Sequence, residues 1–164
     1  MKKIFSITLL AIIATTTNVV GCDTGDPICV ASIVFEKGAA LRYNELKDYY
    51  CKQNEIMLNE AIRIASERVA KLKKDKGIDH YKDVKNDFSS LKYELVKMNK
   101  EKSTVKVTGT FTYDNESIRY HHESKVVQSI DLIHQNGRWL FCSEELAKRG
   151  ELLSRANNSQ ERTE

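Results

Sequence analysis

The sequence predicts an α+β fold in which N-terminal helices pack on an antiparallel sheet of three to four strands. Apolar residues recur with the helical period of about 3.6 as far as Leu72, and strict apolar/polar alternation begins at Leu91. The pair Asn136-Gly137 then gives the strongest short signal for a β-hairpin. With 164 residues, of which 41% are hydrophobic, the chain can form one compact domain, and a large multidomain enzyme is excluded.

The N-terminus carries an export signal. Lys2 and Lys3 precede an apolar stretch over residues 4–20, which is the pattern of a secretory signal peptide. A membrane span requires about 20 apolar residues, whereas this stretch is shorter and the polar residues 23–26 follow it at once. We therefore assign residues 1–21 as a signal peptide, with an uncleaved membrane anchor as the weaker alternative.

The end of this segment, Val19-Val20-Gly21-Cys22, resembles the lipobox of bacterial lipoproteins, in which a small residue precedes the modified cysteine. The resemblance implies that the Cys22 thiol becomes a diacylglyceryl thioether, that cleavage falls between Gly21 and Cys22, and that an acyl chain such as palmitate is added to the new N-terminus. Two or three acyl chains hold a protein at a membrane more firmly than one. The alternative is a soluble secreted protein in which Cys22 is an ordinary thiol.

The charge of the mature chain gives little indication of a partner. Removal of Lys2 and Lys3 with the signal lowers the formal net charge from +3 to +1, so no basic excess favours nucleic acid as a partner. Asp23, directly after the modified cysteine, resembles the inner-membrane retention signal of enteric bacteria. It favours an inner-membrane lipoprotein that faces the periplasm, if the source is such a bacterium.

Three cysteines remain once Cys22 is lipidated, and export permits disulfides. Cys51 follows a predicted helix and Cys142 ends a predicted strand, so these two are the preferred pair. Closing a loop of roughly 90 residues stabilises the fold by about 4 kcal/mol in the loop-closure model. Cys29 is then a buried small residue or a rival partner. No Cys-x-x-Cys spacing indicates zinc, and we predict neither a metal nor a cofactor.

The helical half of the domain, residues 27–143, follows a short polar tether over residues 22–26. Pro27 suits the first turn of a helix, Asn44 is predicted to cap a second one, and Gly77 ends a third. The stripe predicted to be buried in the third helix comprises Ile56, Leu58, Ala61, Ile62, Ala65, Val69 and Leu72.

The strand half begins with alternation over residues 91–95 and 105–113, in which Gly109 marks a bulge or a bend. A turn over residues 114–117 leads to a long strand over residues 120–132, and the hairpin at Asn136-Gly137 to a last strand.

The C-terminal extension, residues 144–164, is predicted to contain a helix that ends at Ser154. A polar tail from Asn157 onward is expected to stay mobile.

The order of these elements, together with the segments 43–51 and 136–142, resembles the nuclear transport factor two-like, or cystatin-like, superfamily and its small bacterial lipoproteins of unknown function. The resemblance implies helices wrapped around a curved sheet that encloses a cone-shaped pocket. Some relatives use this cone as isomerases or dehydratases, with an acid or a His and Tyr inside. The residues placed either to line the cone or to form the core on the inner face of the sheet are Tyr93, Phe111, Tyr113, Tyr120, His122 and Trp139.

Motifs for catalysis are missing from the sequence. It holds neither a nucleophile elbow nor a glycine-rich phosphate loop. His121 and His122 are neighbours on a strand, so they point to opposite faces and cannot chelate one metal.

We therefore predict a lipid-anchored, non-catalytic binding or interaction module. Its expected partners are the membrane, through the anchor, and an envelope protein or a small apolar ligand. An accessory or exclusion lipoprotein of a plasmid or prophage is the alternative, and an isomerase- or dehydratase-type enzyme that uses the cone is a third.

Overall fold

The computed structural model describes residues 22–160, so the predicted signal peptide lies outside the described residues. Helices pack on a curled antiparallel sheet, which is the predicted α+β class. The helices are α1 (Pro27–Ala39), α2 (Glu55–Lys76), α3 (His80–Asp83) and α4 (Glu144–Gln160). The strands are β1 (Val84–Asp87), β2 (Lys92–Met98), β3 (Lys102–Asn115), β4 (Tyr120–Gln135) and β5 (Arg138–Phe141). Short 3₁₀ helices cover Tyr43–Tyr49, Lys52–Asn54 and Glu116–Ile118.

The β3–β4 pair forms the centre of the sheet. Its antiparallel register runs from Lys102 opposite Ile133 to Asn115 opposite Tyr120. On the other side of β3, β2 pairs with its first half and β1 with its last residues, and β5 pairs with the end of β4. The fifth strand, β1, was not predicted from the sequence because four residues are too short for a recognisable alternation.

The sequence predicts a hairpin turn at Asn136-Gly137 and a bulge or a bend at Gly109. Asn136 and Gly137 have positive φ angles of 52° and 78°, as the turn of a two-residue hairpin requires. Gly109 is no bulge in its pairing with β4, because the register continues through it opposite Val126. Its φ is 126°, and a Cβ there would overlap the carbonyl oxygen of Ser90. The glycine allows the loop before β2 to lie directly against β3.

Helix α1 covers the sheet. Pro27 is its first residue, as predicted, and the Asp26 carboxylate caps it by accepting a hydrogen bond from the Ile28 amide at 2.9 Å. The buried core joins α1 to the sheet and to the following segment. Its members are Val30, Ala31, Val34, Leu46, Leu58, Val105, Val107, Val126, Ile130, Leu132 and Trp139.

The helices after α1 correct three predictions. Asn44 caps no helix, because a 3₁₀ helix begins at Tyr43 without any side-chain cap. Of the apolar stripe on α2, only Leu58 and Ala65 are buried, and Ile56 is 45% exposed. Helix α2 makes most of its contacts with α4 and the preceding 3₁₀ helix, and Leu58 is its one member of the buried core. Gly77 does end α2, with a left-handed φ of 67°.

Helix α4 is longer than the sequence predicts. It continues past Ser154 to Gln160, since residues 155–160 include neither glycine nor proline to stop it. Gly150 of α4 is buried against α2. A Cβ atom at this position would contact the side chains of Ile56 and Met57. Residues 161–164 of the predicted mobile tail lie outside the described residues.

Cys51 and Cys142, the pair that the sequence favours, are joined in the structure, with a Cα–Cα distance of 5.4 Å. The bond connects the chain just before α2 to the end of β5. Asn54 reinforces it, because its buried amide donates to the Ser143 carbonyl at 2.8 Å and accepts from the Ser143 amide at 2.6 Å. The disulfide and this amide clamp together hold the helical layer to the sheet.

We expect Cys51→Ser to lower the free energy of unfolding by about 4 kcal/mol, because the disulfide constrains a long loop of the unfolded chain. Urea denaturation of the oxidised protein measures the loss. Cys29→Ser is the matched control: Cys29 closes a loop with a sequence separation of 7, against 91 for Cys51, so its substitution is expected to cost less. Equal losses in the two variants would contradict this assignment.

Gly109→Ala should destabilise the protein by about 3 kcal/mol, for two reasons. The new methyl group would overlap the Ser90 carbonyl oxygen, and alanine disfavours the positive φ angle of this position. At Gly137 a Cβ meets nothing within 4 Å. Gly137→Ala should therefore lower the free energy of unfolding by only about 1 kcal/mol, which is the penalty for alanine in a left-handed conformation. Thermal denaturation of both variants tests this contrast. An unchanged melting temperature for Gly109→Ala would refute the close approach.

Candidate anchor and ligand-binding site

The chain after the predicted cleavage point is fixed to one end of the sheet. The Thr24 carbonyl accepts a hydrogen bond from the Trp139 amide at 2.8 Å, so residues 22–24 lie beside β5. The Asp23 carboxylate accepts from the Gly25 amide at 2.8 Å, and the Asp23 carbonyl accepts from the Asp26 amide at 3.0 Å. The segment predicted as a tether is therefore a turn that leads directly into α1.

The structure joins Cys22 to Cys29. The sequence analysis did not predict this pair, because it assigned Cys22 to the lipid and left Cys29 as a buried residue or a rival disulfide partner. The turn over residues 23–26 brings the start of the described chain beside the first turn of α1, and the two Cα atoms are 5.7 Å apart. A sulfur bonded to Cys29 has no thiol left to carry a diacylglyceryl group. The disulfide and the predicted lipid thioether are thus alternative states of Cys22.

A group of basic and apolar side chains lies at the same end of the sheet, around the β2–β3 turn. Val96 is 50% exposed and Met98 is 60% exposed. Lys97, Lys100 and Lys102 are also exposed beside them. We call these five residues the basic tip. Glu101 is exposed in the same turn, so the three lysines leave a net charge of +2 there. Cations close to exposed apolar side chains suit the interface of a membrane with anionic lipids.

A cavity of about 360 Å³ opens at the opposite end of the sheet. It lies between the end of α1, the last turns of α2 and the hairpin end of β3 and β4, and we call it the end pocket. Its aliphatic wall consists of Ala39, Leu41, Leu72, Ile78, Val84 and Ile118. Its other lining residues are Arg68, Lys76, His80, Asn86, Tyr113, Asn115 and Tyr120.

Only two of the six residues predicted to line a cone lie in the end pocket. Tyr113 and Tyr120 line it, with ring centroids 5.8 Å apart. His122 is adjacent, with its ring centroid 5.2 Å from that of Tyr113, but its side chain is exposed on β4. Burial raises the pKa of the Tyr113 hydroxyl above its usual value, and a hydrogen bond with Tyr120 adds to this.

The other three predicted lining residues lie elsewhere. Tyr93 donates a hydrogen bond from its hydroxyl to the Glu36 carboxylate at 3.0 Å, and burial first, then the charge of Glu36, raises its pKa. Trp139 is 5% exposed and belongs to the core. Phe111 lines a separate groove between α1 and the open edge of β4, where its ring meets that of Phe35 edge-on. The six residues therefore do not form one pocket.

The residues that the sequence analysis missed are Arg68, Lys76 and His80. Arg68 and Lys76 stand four residues before and after Leu72, and this spacing places all three on one face of α2. That spacing was a usable signal, but the sequence analysis did not use it to predict a binding face. His80 begins α3 and is 9% exposed.

The His80 ring contacts the backbone at the end of α1. Its Nε2 lies 3.3 Å from the Ala40 carbonyl oxygen. Burial lowers the pKa of His80 below its usual value, and the charges of Arg68 and Arg42 contribute in the same direction, against the hydrogen bond to Ala40. His80 is therefore held as a neutral hydrogen-bonding group rather than as a cation.

The end pocket is built for binding. It combines an aliphatic wall with hydroxyl, amide and cationic donors, and none of its described lining residues is an Asp or a Glu. Among residues 22–160, no group of three or more His, Cys, Asp or Glu side chains is placed to hold a metal ion. In the same part of the chain, no helix is both long enough and apolar enough to cross a membrane.

Together these features define a small α+β domain with a curled antiparallel sheet, a fixed N-terminal turn at one end and an open pocket at the other. Comparison with protein-family models, curated proteins and solved structures finds no match to this chain.

The lowered pKa of His80 predicts a specific pH dependence. The unfolded chain binds a proton at His80 near pH 6.5 and the folded chain only at lower pH, so folding stability contributed by His80 is lost as the pH falls below about 6.5. Glutamine retains a hydrogen-bond donor for the Ala40 carbonyl but does not titrate. We therefore expect His80→Gln to abolish the loss of folding stability below about pH 6.5 that comes from His80. Urea denaturation of both proteins between pH 5 and pH 8 measures it, and parallel stability curves would contradict the prediction.

Proposed function

We propose that this protein is a lipid-anchored lipoprotein of the cell envelope that acts as a non-catalytic binding module. The observation that supports it best is that Cys22, the proposed lipid attachment point, and the end pocket lie at opposite ends of the β3–β4 pair. An anchor at Cys22 would hold the domain at the membrane and leave the mouth of the pocket free.

Helix α1 gives the scale of this separation. It begins close to Cys22, and Ala39, at its other end, lines the end pocket. Its 13 residues span about 20 Å at about 1.5 Å per residue. Because the turn over residues 23–26 is hydrogen-bonded rather than extended, a lipid on Cys22 would place this end of the sheet against the bilayer.

The basic tip supports the same orientation. Its lysines and its exposed Val96 and Met98 lie at the end of the sheet where residues 22–24 are attached. Each lysine near an anionic membrane surface contributes about 1 kcal/mol of attraction. The tip would therefore add to the binding provided by the acyl chains and would restrict the tilt of the domain.

The lipid would also decide the state of Cys29. Lipidation of Cys22 consumes the thiol that otherwise bonds to Cys29, so the anchored protein would carry one disulfide and one free thiol. In an enteric-type bacterium, Asp23 would retain the protein in the inner membrane, with the end pocket in the periplasm. The expected partner is then an envelope protein or a small ligand of that compartment.

The intact mass of the mature protein, extracted from membranes and alkylated without reduction, tests this proposal. We expect cleavage before Cys22, an added mass of two or three acyl chains and one alkylated thiol at Cys29. An unacylated chain without any alkylated cysteine would show that Cys22 is bonded to Cys29 and would overturn the lipid anchor. Cys22→Ala should abolish acylation, whereas the matched variant Cys29→Ser should be acylated normally.

A further inference from the structure

We infer that the end pocket binds an amphipathic carboxylate, a molecule with an apolar body and one carboxylate head. This inference rests on the proposed binding function and names the ligand class. The volume of the pocket, about 360 Å³, falls in the range of about 300–1,000 Å³ that is usual for small-molecule sites. Leu41, Leu72, Ile78 and Val84 provide an aliphatic surface for the body.

The charge of the pocket selects the head group. Arg68 and Lys76 line it, and its described lining contains no carboxylate. Two other cations on α2 are paired, since Arg63 contacts Glu60 at 2.6 Å and Lys73 contacts Asp79 at 3.2 Å, whereas Lys71 and Lys74 form no ion pair within the described chain but lie outside the pocket lining. Within the described chain, Arg68 and Lys76 have no carboxylate at ion-pair distance. An anionic ligand would supply the missing countercharge.

Arg68 is the cation best placed to receive the head group. It lines the end pocket together with Tyr113 and His80, so it lies on the pocket side of α2. A guanidinium can hold a carboxylate through two parallel hydrogen bonds, and the Tyr113 and Tyr120 hydroxyls can donate to the same group. Neutral His80 and the amide of Asn86 add polarity without negative charge.

The spacing of the two cations favours a single negative charge over a dianionic phosphate. Arg68 and Lys76 are eight positions apart on one helix face, which corresponds to about 12 Å along the axis. We assign the head group to Arg68 alone at this separation, and a monoanion matches one cation. The second cation raises the local potential for anions at the mouth of the pocket.

The test is an NMR titration of the ¹⁵N-labelled chain from Cys22 onward with both disulfides formed, so its outcome does not depend on lipidation. The probes are 4-phenylbutyrate and two molecules with the same body, the neutral 4-phenylbutan-1-ol and the cationic 4-phenylbutylamine. We expect the carboxylate to shift amides of Tyr113, Tyr120 and His80, and to bind about tenfold more tightly than the alcohol, as one charge-assisted hydrogen bond provides.

The double variant Arg68→Gln/Lys76→Gln should lose this preference for the carboxylate and bind the alcohol unchanged. The matched control, Arg63→Gln/Lys74→Gln, removes the same charge from α2 residues outside the pocket lining and should keep the preference. The amide spectrum of each variant reports whether it is folded. Equal affinity for the three probes, shifts outside the pocket, no binding, or equal loss in the control would overturn the inference.

Discussion

The long antiparallel pairing of β3 with β4 is the constraint on which the rest of the structure depends. Every other strand attaches to one of these two strands, and the core residues Val105, Val107, Ile130 and Leu132 all belong to them. The unbroken register from Lys102 to Asn115 gives the sheet two distant ends. The N-terminal turn and the end pocket can therefore belong to one small domain and still be kept apart, which is the basis of the proposed anchored binding module.

The helical layer is held to this sheet by few but specific contacts. Helix α1 supplies most of the apolar contact, whereas α2 contributes Leu58 and is attached through the clamp that joins Cys51 to Cys142 and Asn54 to Ser143. A buried amide of this kind stabilises a fold only when its hydrogen bonds are made. The face of α2 that bears Arg68 and Lys76 borders the end pocket instead of the core.

The sequence predicted features that depend on local chemistry and failed where tertiary packing decides. Pro27, Gly77 and Asn136-Gly137 were placed correctly because backbone conformation alone selects these residues. Helical periodicity identified the apolar face of α2 but not what covers it, so Ile56 was wrongly assigned to the core. The pairing of Cys22 with Cys29 depends on a turn that no sequence pattern predicts. His80 lies in a pocket only because α3 folds back onto the end of α1.

In the proposed orientation, the basic tip of the domain contacts the membrane and the end pocket faces away from it. Fluorescence quenching by brominated lipids tests it, with the lipidated protein in vesicles and tryptophan placed by Met98→Trp or by Ile118→Trp. Trp139, the one native tryptophan, is buried, and the unsubstituted protein gives its background. We expect strong quenching at position 98 and none at position 118. Equal quenching at both positions, or stronger quenching at 118, would contradict the proposed orientation.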